Sequence, residues 1–553
     1  MSEPTLPTSA DALASWPTSA AVPVEPDRAP EPPDYFAADT YDDAAHGQGE
    51  RRSQSQATEL IALAREQFEV IRGEDGRTYA VPRTSAGLAL PLRGKPGMRE
   101  RVAATFFDQR GRAATGQALS DMLTTLEGDA LKADPVAVHL RVAQADDRVY
   151  VHLGHAESAR AVEVSPAGVR IIEHPPVMFR RSPLGLPLAL PAAVGSLEPL
   201  AALLNVSRTG LRLVVGWILA AYLPAMPHPI LALLGQQGTA KTTAMRMILS
   251  LIDPSPAPTR SVPRDEDSWA TPAVHSWAIG LDNVSNLAPW FQDALCKAVT
   301  GDGLVRRAKY SDDDVSVLTF RRVIALTSID PGALQGDVAD RLLPVDLEPI
   351  GPRSRRTQAE VDAAFSAAAP TILAALFDLL SKVLGVLPAV ELDEKPRMAD
   401  FARLLAALDE VTGWSTLADY LAATSETAEN VVEGSAFVTA VRALVKSRRY
   451  WEGTAEQLLD DVTPERPPRN WPGTPRAVAG LLGRYTPALG QVGITVTKRP
   501  RGRGGVRGFV LSDAAIPGCQ ACGQPLDETL AALGESVHPT CAATPARDGG
   551  RAS

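Results

Sequence analysis

The sequence predicts an α/β protein of several domains, and three observations lead to this prediction. The chain has 553 residues, more than one hydrophobic core usually organises. Between residues 230 and 350, short apolar runs alternate with longer helical patterns, as in a sheet covered by helices. With 45% hydrophobic and 22% charged residues, the composition is that of a globular protein. We therefore expect an α/β core flanked by smaller domains.

The composition also divides the chain into segments. Residues 1–55 are rich in Pro, Ala, Ser and acidic residues, and we expect disorder there because so little apolar surface can be buried. Residues 1–50 hold ten acidic residues and one Arg, so the remainder is close to neutral and the acidic total does not exclude a nucleic-acid partner. The further segments are an α/β domain (56–182), the α/β core (183–352), a helical region (353–450), a small basic unit (451–513), a Cys/His segment (514–545) and a disordered tail (546–553).

The ends and the apolar runs bear on the cellular compartment. The chain starts with acidic and Pro-rich sequence, which is unlike a signal peptide. Its most apolar run, residues 213–226, is too short to span a bilayer, and we expect a core helix there. These features predict a cytoplasmic protein.

A glycine-rich turn follows the apolar strand predicted at 230–234. Such a turn lets backbone N–H groups face phosphates ahead of a helix, which is the P-loop arrangement. Lys241 is placed to reach the β- and γ-phosphates of ATP, and the Thr242 hydroxyl to hold Mg²⁺. Ala240 replaces the usual Gly, but its methyl group is small, so we still expect ATP binding. The predicted nucleotide-binding residues of this turn are Gly235, Gln236, Gln237, Gly238, Thr239, Ala240, Lys241, Thr242 and Thr243.

A second apolar strand, over residues 277–281, ends at Asp282. An acid at this place would bind Mg²⁺ through a water, so we predict Asp282 as the second magnesium residue. Many such ATPases place Glu next, to orient the attacking water, whereas this chain has Asn283. Either hydrolysis is slow or another carboxylate does this work, and the candidates are Asp265, Glu266 and Asp267.

Two further residues are candidates by their place in the series of motifs. Thr327 ends a third strand, where a polar side chain can touch the γ-phosphate and the attacking water; a polar cap of the strand end is the alternative. Arg341 precedes a fourth strand and is a candidate arginine finger that acts on a neighbouring subunit. A surface salt-bridge residue is the alternative for Arg341.

The order of these motifs resembles a known family. Between Asp282 and Thr327 lies a Thr-Gly-Asp-Gly hairpin at 300–303 that is followed by basic residues and Tyr310. This order is similar to the helicase core of phage and plasmid primase-helicases, of the superfamily three or poxvirus type, within AAA+ ATPases. More closely, the Gly-x-x-Gly-x-Ala-Lys loop and the Leu-Asp-Asn strand end resemble ATP-binding proteins of actinobacterial integrative elements and prophages. The similarity runs from about residue 57 to 512.

The resemblance implies several properties. It implies a homo-oligomeric ring, a hexamer in the family, that hydrolyses ATP with Mg²⁺. It also implies that the hairpin reaches into the ring channel, where Arg306, Arg307 and Lys309 contact DNA phosphates. The alternative is a solvated hairpin balanced by acidic residues 312–314. The chain departs from the family in lacking an acidic pair at 282–283 and in ending the third strand with Thr-Ser.

The basic unit at 451–513 predicts a winged helix that binds DNA. Residues 475–485 suit a recognition helix that carries Arg476. A Gly-rich basic turn between two predicted strands suits a wing that follows the sugar-phosphate backbone; a flexible basic loop is the alternative. The basic residues of this turn are Lys498, Arg499, Arg501, Arg503 and Arg507.

The Cys/His segment has the spacing of a zinc site. Cys519 and Cys522 form one pair, and His538 and Cys541 form a second pair 15 residues later. Three thiolates and one imidazole at this spacing make a closed tetrahedral site, and metal binding would supply the folding energy of a segment with little core. We therefore predict a structural, non-catalytic Zn²⁺.

Taken together, these features predict an ATP-hydrolysing DNA-binding protein of a mobile element, with two forms left open. The first is a replicative helicase-like ring motor, which the hairpin and Arg341 favour. The second is a nucleotide-dependent DNA-binding switch with weak ATPase activity and no unwinding, which Asn283 and Thr327 favour. A P-loop enzyme for a small molecule would not explain the basic turn or the Cys/His pairs.

Overall fold

The computed structural model describes residues 55–94, 97–285, 287–307, 315–329, 336–468, 471–499 and 508–514, together with residues 526, 537 and 539. The acidic segment expected to be disordered lies outside this range except for Ser55. The four predicted zinc ligands and residues 546–553 also lie outside the described residues. The mixed α/β class predicted from the sequence is confirmed in the described part.

The N-terminal part combines helices with two sheets. Its elements are α1 (Gln56–Gln67), β1 (Phe68–Gly73), β2 (Thr78–Pro82), β3 (Leu88–Pro91), α2 (Met98–Arg110), α3 (Gly116–Ala130), β4 (Pro135–Val136), β5 (Val138–His139), β6 (Val142–Ala145), β7 (Arg148–His152), β8 (Ala161–Ser165), β9 (Gly168–Ile172) and β10 (Met178–Arg180). One sheet has the order β4-β1-β2-β3-β10-β5 and the other the order β6-β7-β8-β9. The helices α1 to α3 pack on the first sheet through Leu60, Phe106 and Met122, which are all buried.

The central part is built on a parallel sheet. Its elements are α4 (Glu198–Leu203), α5 (Arg208–Ala221), β11 (Ile230–Leu234), α6 (Lys241–Ser250), β12 (Thr259–Arg260), α7 (Glu266–His275), β13 (Ala278–Leu281), α8 (Pro289–Thr300), β14 (Gly303–Arg307), β15 (Val315–Thr319), β16 (Val323–Ser328) and β17 (Leu342–Asp346). The order β12-β13-β16-β11-β17 places β16 between β11 and β13, with all neighbours parallel. The strands β14 and β15 form a separate antiparallel hairpin.

Both faces of the parallel sheet are buried, which explains why its strands are apolar throughout. Successive side chains point to opposite faces, so Leu231 and Leu233 join one core and Ile230 and Ala232 join another. The first core includes α5, whose Trp217 is fully buried and donates from Nε1 to the carbonyl of Pro229 at 2.8 Å. The core helix predicted over 213–226 is therefore confirmed for its first part, and α5 ends at Ala221.

A helical part follows, with α9 (Gln358–Val386), α10 (Ala399–Thr412), α11 (Thr416–Glu433) and α12 (Ala436–Arg448). The helix α9 begins with a capping box of Thr357 and Glu360. The stretch Gln358–Ala389 is long and apolar enough to cross a membrane by length and composition, and half of its most apolar window is buried. Leu373, Leu376 and Phe377 belong to the first core, as in a core helix of a globular protein.

The C-terminal part is a small unit with its own core. Its elements are β18 (Tyr450–Thr454), α13 (Ala455–Val462), α14 (Pro475–Gln491), β19 (Ile494–Lys498) and β20 (Gly508–Asp513). The three strands form an antiparallel sheet in the order β18-β20-β19. Trp451, Leu458 and Leu482 are buried in this unit together with residues of α12.

Candidate nucleotide site and basic surfaces

The predicted phosphate-binding turn leaves β11 at the carboxyl edge of the sheet and leads into α6. Gly235 has φ 145° and Gly238 has φ 82°, values that a side chain rarely adopts. A Cβ on Gly235 would also lie 3.0 Å from the carbonyl oxygen of Leu347. The backbone path therefore requires these two glycines. The first N–H groups of α6, like those of any helix, have no partner within the helix and face the turn.

Ala240 is the residue before α6 and has a left-handed backbone, with φ 60° and ψ 30°. This conformation is the physical reason why Gly is usual at this position, because the Cβ of an L-residue crowds the following carbonyl. The chain accepts this strain with the smallest side chain that has a Cβ. The cost is about 1–2 kcal/mol relative to an unstrained residue.

Lys241 opens α6, and its side chain folds back onto the turn. Its Nζ donates to the carbonyl oxygens of Gly235 at 2.6 Å and of Gln236 at 2.8 Å. Burial lowers the pKa of the ammonium group, and the negative charge of Asp282 opposes this shift. The cation is thus held at the centre of the turn, where phosphate oxygens would replace the two carbonyls as its partners.

Three side chains from three elements meet beside the turn. The Thr242 hydroxyl donates to the two carboxylate oxygens of Asp282, at 2.9 and 3.1 Å. The Thr327 hydroxyl donates to the first of these oxygens at 2.6 Å. Thr242 is on α6, Asp282 follows β13, and Thr327 is near the end of β16, so the strand order brings them together. We call Thr242, Asp282 and Thr327 the hydroxyl-carboxylate cluster.

The donor set of this cluster suits Mg²⁺, which prefers oxygen ligands and usually keeps several waters. Thr242 and Asp282 are half-buried, so ligands from solvent or a nucleotide can complete the coordination. The cluster contains no imidazole or thiolate that would favour zinc. Across the residues that the structure describes, no group of three or more His, Cys, Asp or Glu side chains has the arrangement of a metal site.

Asn283 is fixed in its backbone but has an exposed side chain. Its φ is 55°, a left-handed value that Asn tolerates better than most residues. Its N–H donates to the hydroxyl oxygen of Thr327 at 2.8 Å, and the next N–H, of Val284, donates to the carbonyl of Thr327, also at 2.8 Å. A Glu here would have to adopt the same strained backbone, which gives a local reason for Asn.

The alternative carboxylates lie on the same edge of the sheet. The N–H of Asp282 donates to the carbonyl of Arg260 at the end of β12, and the chain then continues through residues 261–267. Asp265 is the N-cap of α7, since its carboxylate accepts from the N–H of Ser268 at 2.8 Å. Glu266 and Asp267 are exposed in the first turn of α7.

Arg341 lies on the opposite edge of the sheet. In the parallel pairing of β11 and β17, Ile230 faces Leu342 and Leu234 faces Asp346. The turn leaves after Leu234, whereas Arg341 precedes Leu342. The levels of Leu234 and Leu342 are four residues, or about 13 Å, apart along the strands, so Arg341 and the turn are at least this far apart in that direction. Arg341 lines a cavity of about 110 Å³ with Arg397 and Phe401. This position excludes a direct contact with a nucleotide bound to the turn of the same chain.

A cavity of about 500 Å³ next to the turn was not predicted from the sequence. Its residues come from the end of α4, the turn, α6, the segment that connects β17 to α9 and the first turn of α9. A guanidinium nitrogen of Arg355 lies 3.9 Å from the place that a Cβ would take on Gly238. Its lining includes the apolar residues Leu203, Leu204, Ala244, Met247 and Val361, together with Arg355. The signal in the sequence was the basic run at 353–356, directly after the fourth strand of the motif series.

The predicted DNA-binding residues fall partly within the described residues. Arg306 and Arg307 are on β14 of the antiparallel hairpin, and Lys309 lies outside the described residues. Arg476 is exposed in the first turn of α14. In the basic turn, Lys498 is exposed at the end of β19, and Arg501, Arg503 and Arg507 lie outside the described residues. Arg499 is exposed at the start of this turn, and its guanidinium forms an ion pair with Glu452 of β18.

Comparison with known proteins places the chain in a family. A family model described as the actinomycete integrative conjugative element replication protein matches residues 197–430. A second model, the C-terminal domain of the same replication protein, AICE RepA, matches residues 437–520. The two matches cover more than half of the chain. The chain belongs to this family of replication proteins. The predicted resemblance to proteins of actinobacterial integrative elements is thereby confirmed.

Solved structures are more distant from this replication protein. The C-terminal region 305–718 of NrS-1 is 12% identical, with a TM-score of 0.36, over 82% of this chain and 99% of that one. The active helicase SCCmec type IV Cch is 11% identical, with a TM-score of 0.39, over 81% and 93%. The JCV helicase is 10% identical, with a TM-score of 0.22, over 43% and 66%. At TM-scores this low, these similarities establish no activity. No curated protein matches the chain.

Proposed function

We propose that this replication protein binds and hydrolyses ATP with Mg²⁺ and uses the energy as a helicase-like ring motor on the DNA of its element. The observation that carries the proposal is the hydroxyl-carboxylate cluster beside the turn that holds Lys241. A lysine, a hydroxyl and a carboxylate at the carboxyl edge of a parallel sheet are the parts that bind a triphosphate and its magnesium ion. The position of β16 between β11 and β13 supports an AAA+ type of core.

In this proposal the turn and the cluster divide the work on ATP. The N–H groups of residues 235–243 and Lys241 would hold the phosphates, and Thr242 and Asp282 would hold Mg²⁺, which would supply positive charge next to the phosphates. Thr327 keeps Asp282 in place, and its hydroxyl would reach the γ-phosphate only by giving up its hydrogen bond to Asp282. The apolar side chains of the 500 Å³ cavity, such as Leu203, Met247 and Val361, would receive the base.

Hydrolysis in this site would be slow without help. The side-chain amide of Asn283 can orient a water but cannot accept its proton. The backbone of Asn283 is fixed, so only this side chain can contact the water. Glu266 or Asp267, on the same edge of the sheet, could supply the carboxylate after a movement of α7. Arg341 of a neighbouring subunit would stabilise the charge of the γ-phosphate in a head-to-tail ring, a hexamer in the family.

The proposed grip on DNA is non-specific and electrostatic. The hairpin of β14 and β15 would contact phosphates in the ring channel. The C-terminal unit, as a winged helix, would contact them with Arg476 and with the basic residues of its turn, which are Lys498, Arg499, Arg501, Arg503 and Arg507. The Cys519, Cys522, His538 and Cys541 set would hold Zn²⁺ as a structural element. We propose the cytoplasm as its place of action, where both ATP and the element are present.

A strand-displacement assay distinguishes the motor from the alternative, a DNA-binding switch with weak ATPase activity. The motor predicts that ATP and Mg²⁺ cause unwinding of a forked duplex and that single-stranded DNA raises ATP turnover. Lys241→Ala should abolish both effects while leaving the circular dichroism spectrum unchanged. ATP-dependent DNA binding without any displacement would establish the switch and reject the motor. Normal turnover in a folded Lys241→Ala protein would reject the whole assignment.

A further inference from the structure

A further cavity lies between the N-terminal part and the amino edge of the parallel sheet. It has a volume of about 160 Å³, and Arg180, at the end of β10, and Arg322, just before β16, both line it. Arg180 is 6% exposed and Arg322 is 8% exposed. Two guanidinium groups are thus buried at one cavity, which is costly unless an anion compensates them.

The backbone partners of these two arginines are carbonyl groups. The Tyr79 hydroxyl is a further hydrogen-bond partner of Arg180, and the Cζ of Arg322 lies 5.1 Å from the centroid of the Phe320 ring. Arg180 donates to the carbonyl of Val274, and Arg322 donates to the carbonyls of Ala273 at 2.5 Å and of Arg321 at 2.6 Å. Among the described residues, neither guanidinium has a carboxylate within 4 Å. Burial, together with the charge of Arg180, lowers the pKa of Arg322 to about 9. Carbonyls satisfy N–H groups but do not balance a full positive charge.

The carboxylates nearby are already engaged. Asp75, at the rim of the cavity, accepts from the Tyr79 hydroxyl at 2.5 Å and from the N–H of Arg77 at 3.1 Å. Asp253 accepts from Arg141 Nε at 2.9 Å and from the N–H of Trp277 at 2.7 Å.

Arg77 also lines the cavity and adds a third positive charge, so the cavity walls carry a net positive charge even with Asp75 counted. The only other titratable lining residue is His139, whose pKa is lowered by burial, so that the imidazole is neutral at pH 7.

We propose that this cavity binds a phosphate-class oxyanion between Arg180 and Arg322. Guanidinium groups match tetrahedral oxyanions because their planar N–H pairs can contact two oxygens at once. The volume accommodates a phosphate group, and the half-exposed Arg77 and exposed Asp75 mark the way in from solvent. The anion is either free phosphate or the phosphate of a nucleotide.

The position of the cavity gives the anion a structural role. Arg180 is the last residue of β10 in the N-terminal part. Arg322 is the residue directly before β16, and Thr327 lies near the other end of the same strand. Val274 and Trp277, also in the cavity wall, precede β13, which leads to Asp282. The bound anion therefore joins the N-terminal part to the two strands of the hydroxyl-carboxylate cluster. This inference does not depend on the proposed ATPase activity.

The test measures anion binding in the Lys241→Ala protein, which removes the lysine of the phosphate-binding turn. Isothermal titration with inorganic phosphate at constant ionic strength should show one saturable site per chain. Titration with AMP, alone and after saturation with phosphate, separates the two sources. Tighter binding of AMP identifies a nucleotide phosphate, and binding of phosphate without AMP identifies the free ion.

Second substitutions in this background locate the site. Arg180→Gln and Arg322→Gln should each weaken phosphate binding at least tenfold and remove the rise in the unfolding midpoint that phosphate causes. Arg181→Gln is the matched control: this neighbouring arginine shares the adjoining cavity with Arg180 but does not line the cavity of Arg322, so its loss should leave binding unchanged. If Arg322→Gln does not fold, loss of binding in Arg180→Gln together with unchanged binding in Arg181→Gln decides, because Arg180 lines both cavities and Arg181 lines only the neighbouring one. No saturable phosphate binding, or equal binding after Arg180→Gln, would overturn the proposal.

Discussion

Replacing Ala240 by Gly is expected to stabilise the α/β core, contrary to the usual effect of glycine. The left-handed backbone of Ala240, φ 60° and ψ 30°, costs about 1–2 kcal/mol for an L-residue. Glycine removes this cost but increases the conformational entropy of the unfolded chain, which costs about 0.4–1 kcal/mol. The difference predicts a net gain of about 0.5–1 kcal/mol in the free energy of unfolding of the core.

Differential scanning calorimetry measures this gain in the transition that ATP and Mg²⁺ shift, since only the nucleotide-binding unit gains stability from the ligand. The matched control is Ala244→Gly, one turn further along α6, where the backbone is right-handed and the methyl group is buried. There glycine should destabilise by about 1 kcal/mol or more. If Ala240→Gly lowers the transition in the same way as the control, the strain at Ala240 is absent and the reasoning is wrong.

Three further predictions concern the catalytic cluster, the subunit interface and the C-terminus. Thr327→Val should lower ATP turnover by about 10–100-fold, as expected for loss of a residue that orients a metal ligand, while Thr327→Ser retains most of it; equal turnover in both variants would remove Thr327 from the site. Arg341→Ala should lose turnover but regain part of it when mixed with Lys241→Ala protein, because some interfaces then pair an intact turn with an intact arginine; normal turnover of Arg341→Ala alone would reject the finger. Metal analysis of freshly purified protein should find one zinc per chain, which Cys519→Ser removes without affecting ATP binding, and a metal-free wild type would contradict the predicted site.

Much of the candidate site could be predicted because its parts are local in sequence. The strand over 230–234, the glycine turn and the helix that starts at Lys241 are adjacent, and the structure has the strand within the same bounds. The sequence also predicts a helix starting at residue 475, where the structure has α14. Periodicity and turn composition act over a few residues, so they can be recognised without knowledge of the tertiary fold.

The distances between the parts could not be predicted in this way. Thr242, Asp282 and Thr327 are separated by 40 and 45 residues, and only the order of strands places their oxygens within 3.1 Å. The left-handed backbone of Asn283 depends in the same way on two hydrogen bonds to Thr327. The ion pair of Arg499 with Glu452 arises because β18 and β19 both pair with β20, an arrangement that no local pattern contains.

By itself, the sequence determined the α/β class, the glycine turn with Lys241 and the candidate magnesium residues, because each is set by residue types and short spacings. The tertiary structure alone decided that Arg341 lies on the edge opposite to the turn and that Arg355 lies beside Gly238. It also decided that Arg180 and Arg322, 142 positions apart, are buried at one cavity. Burial and electrostatic compensation depend on which distant segments pack together, and that packing is a property of the whole chain rather than of any short stretch of it.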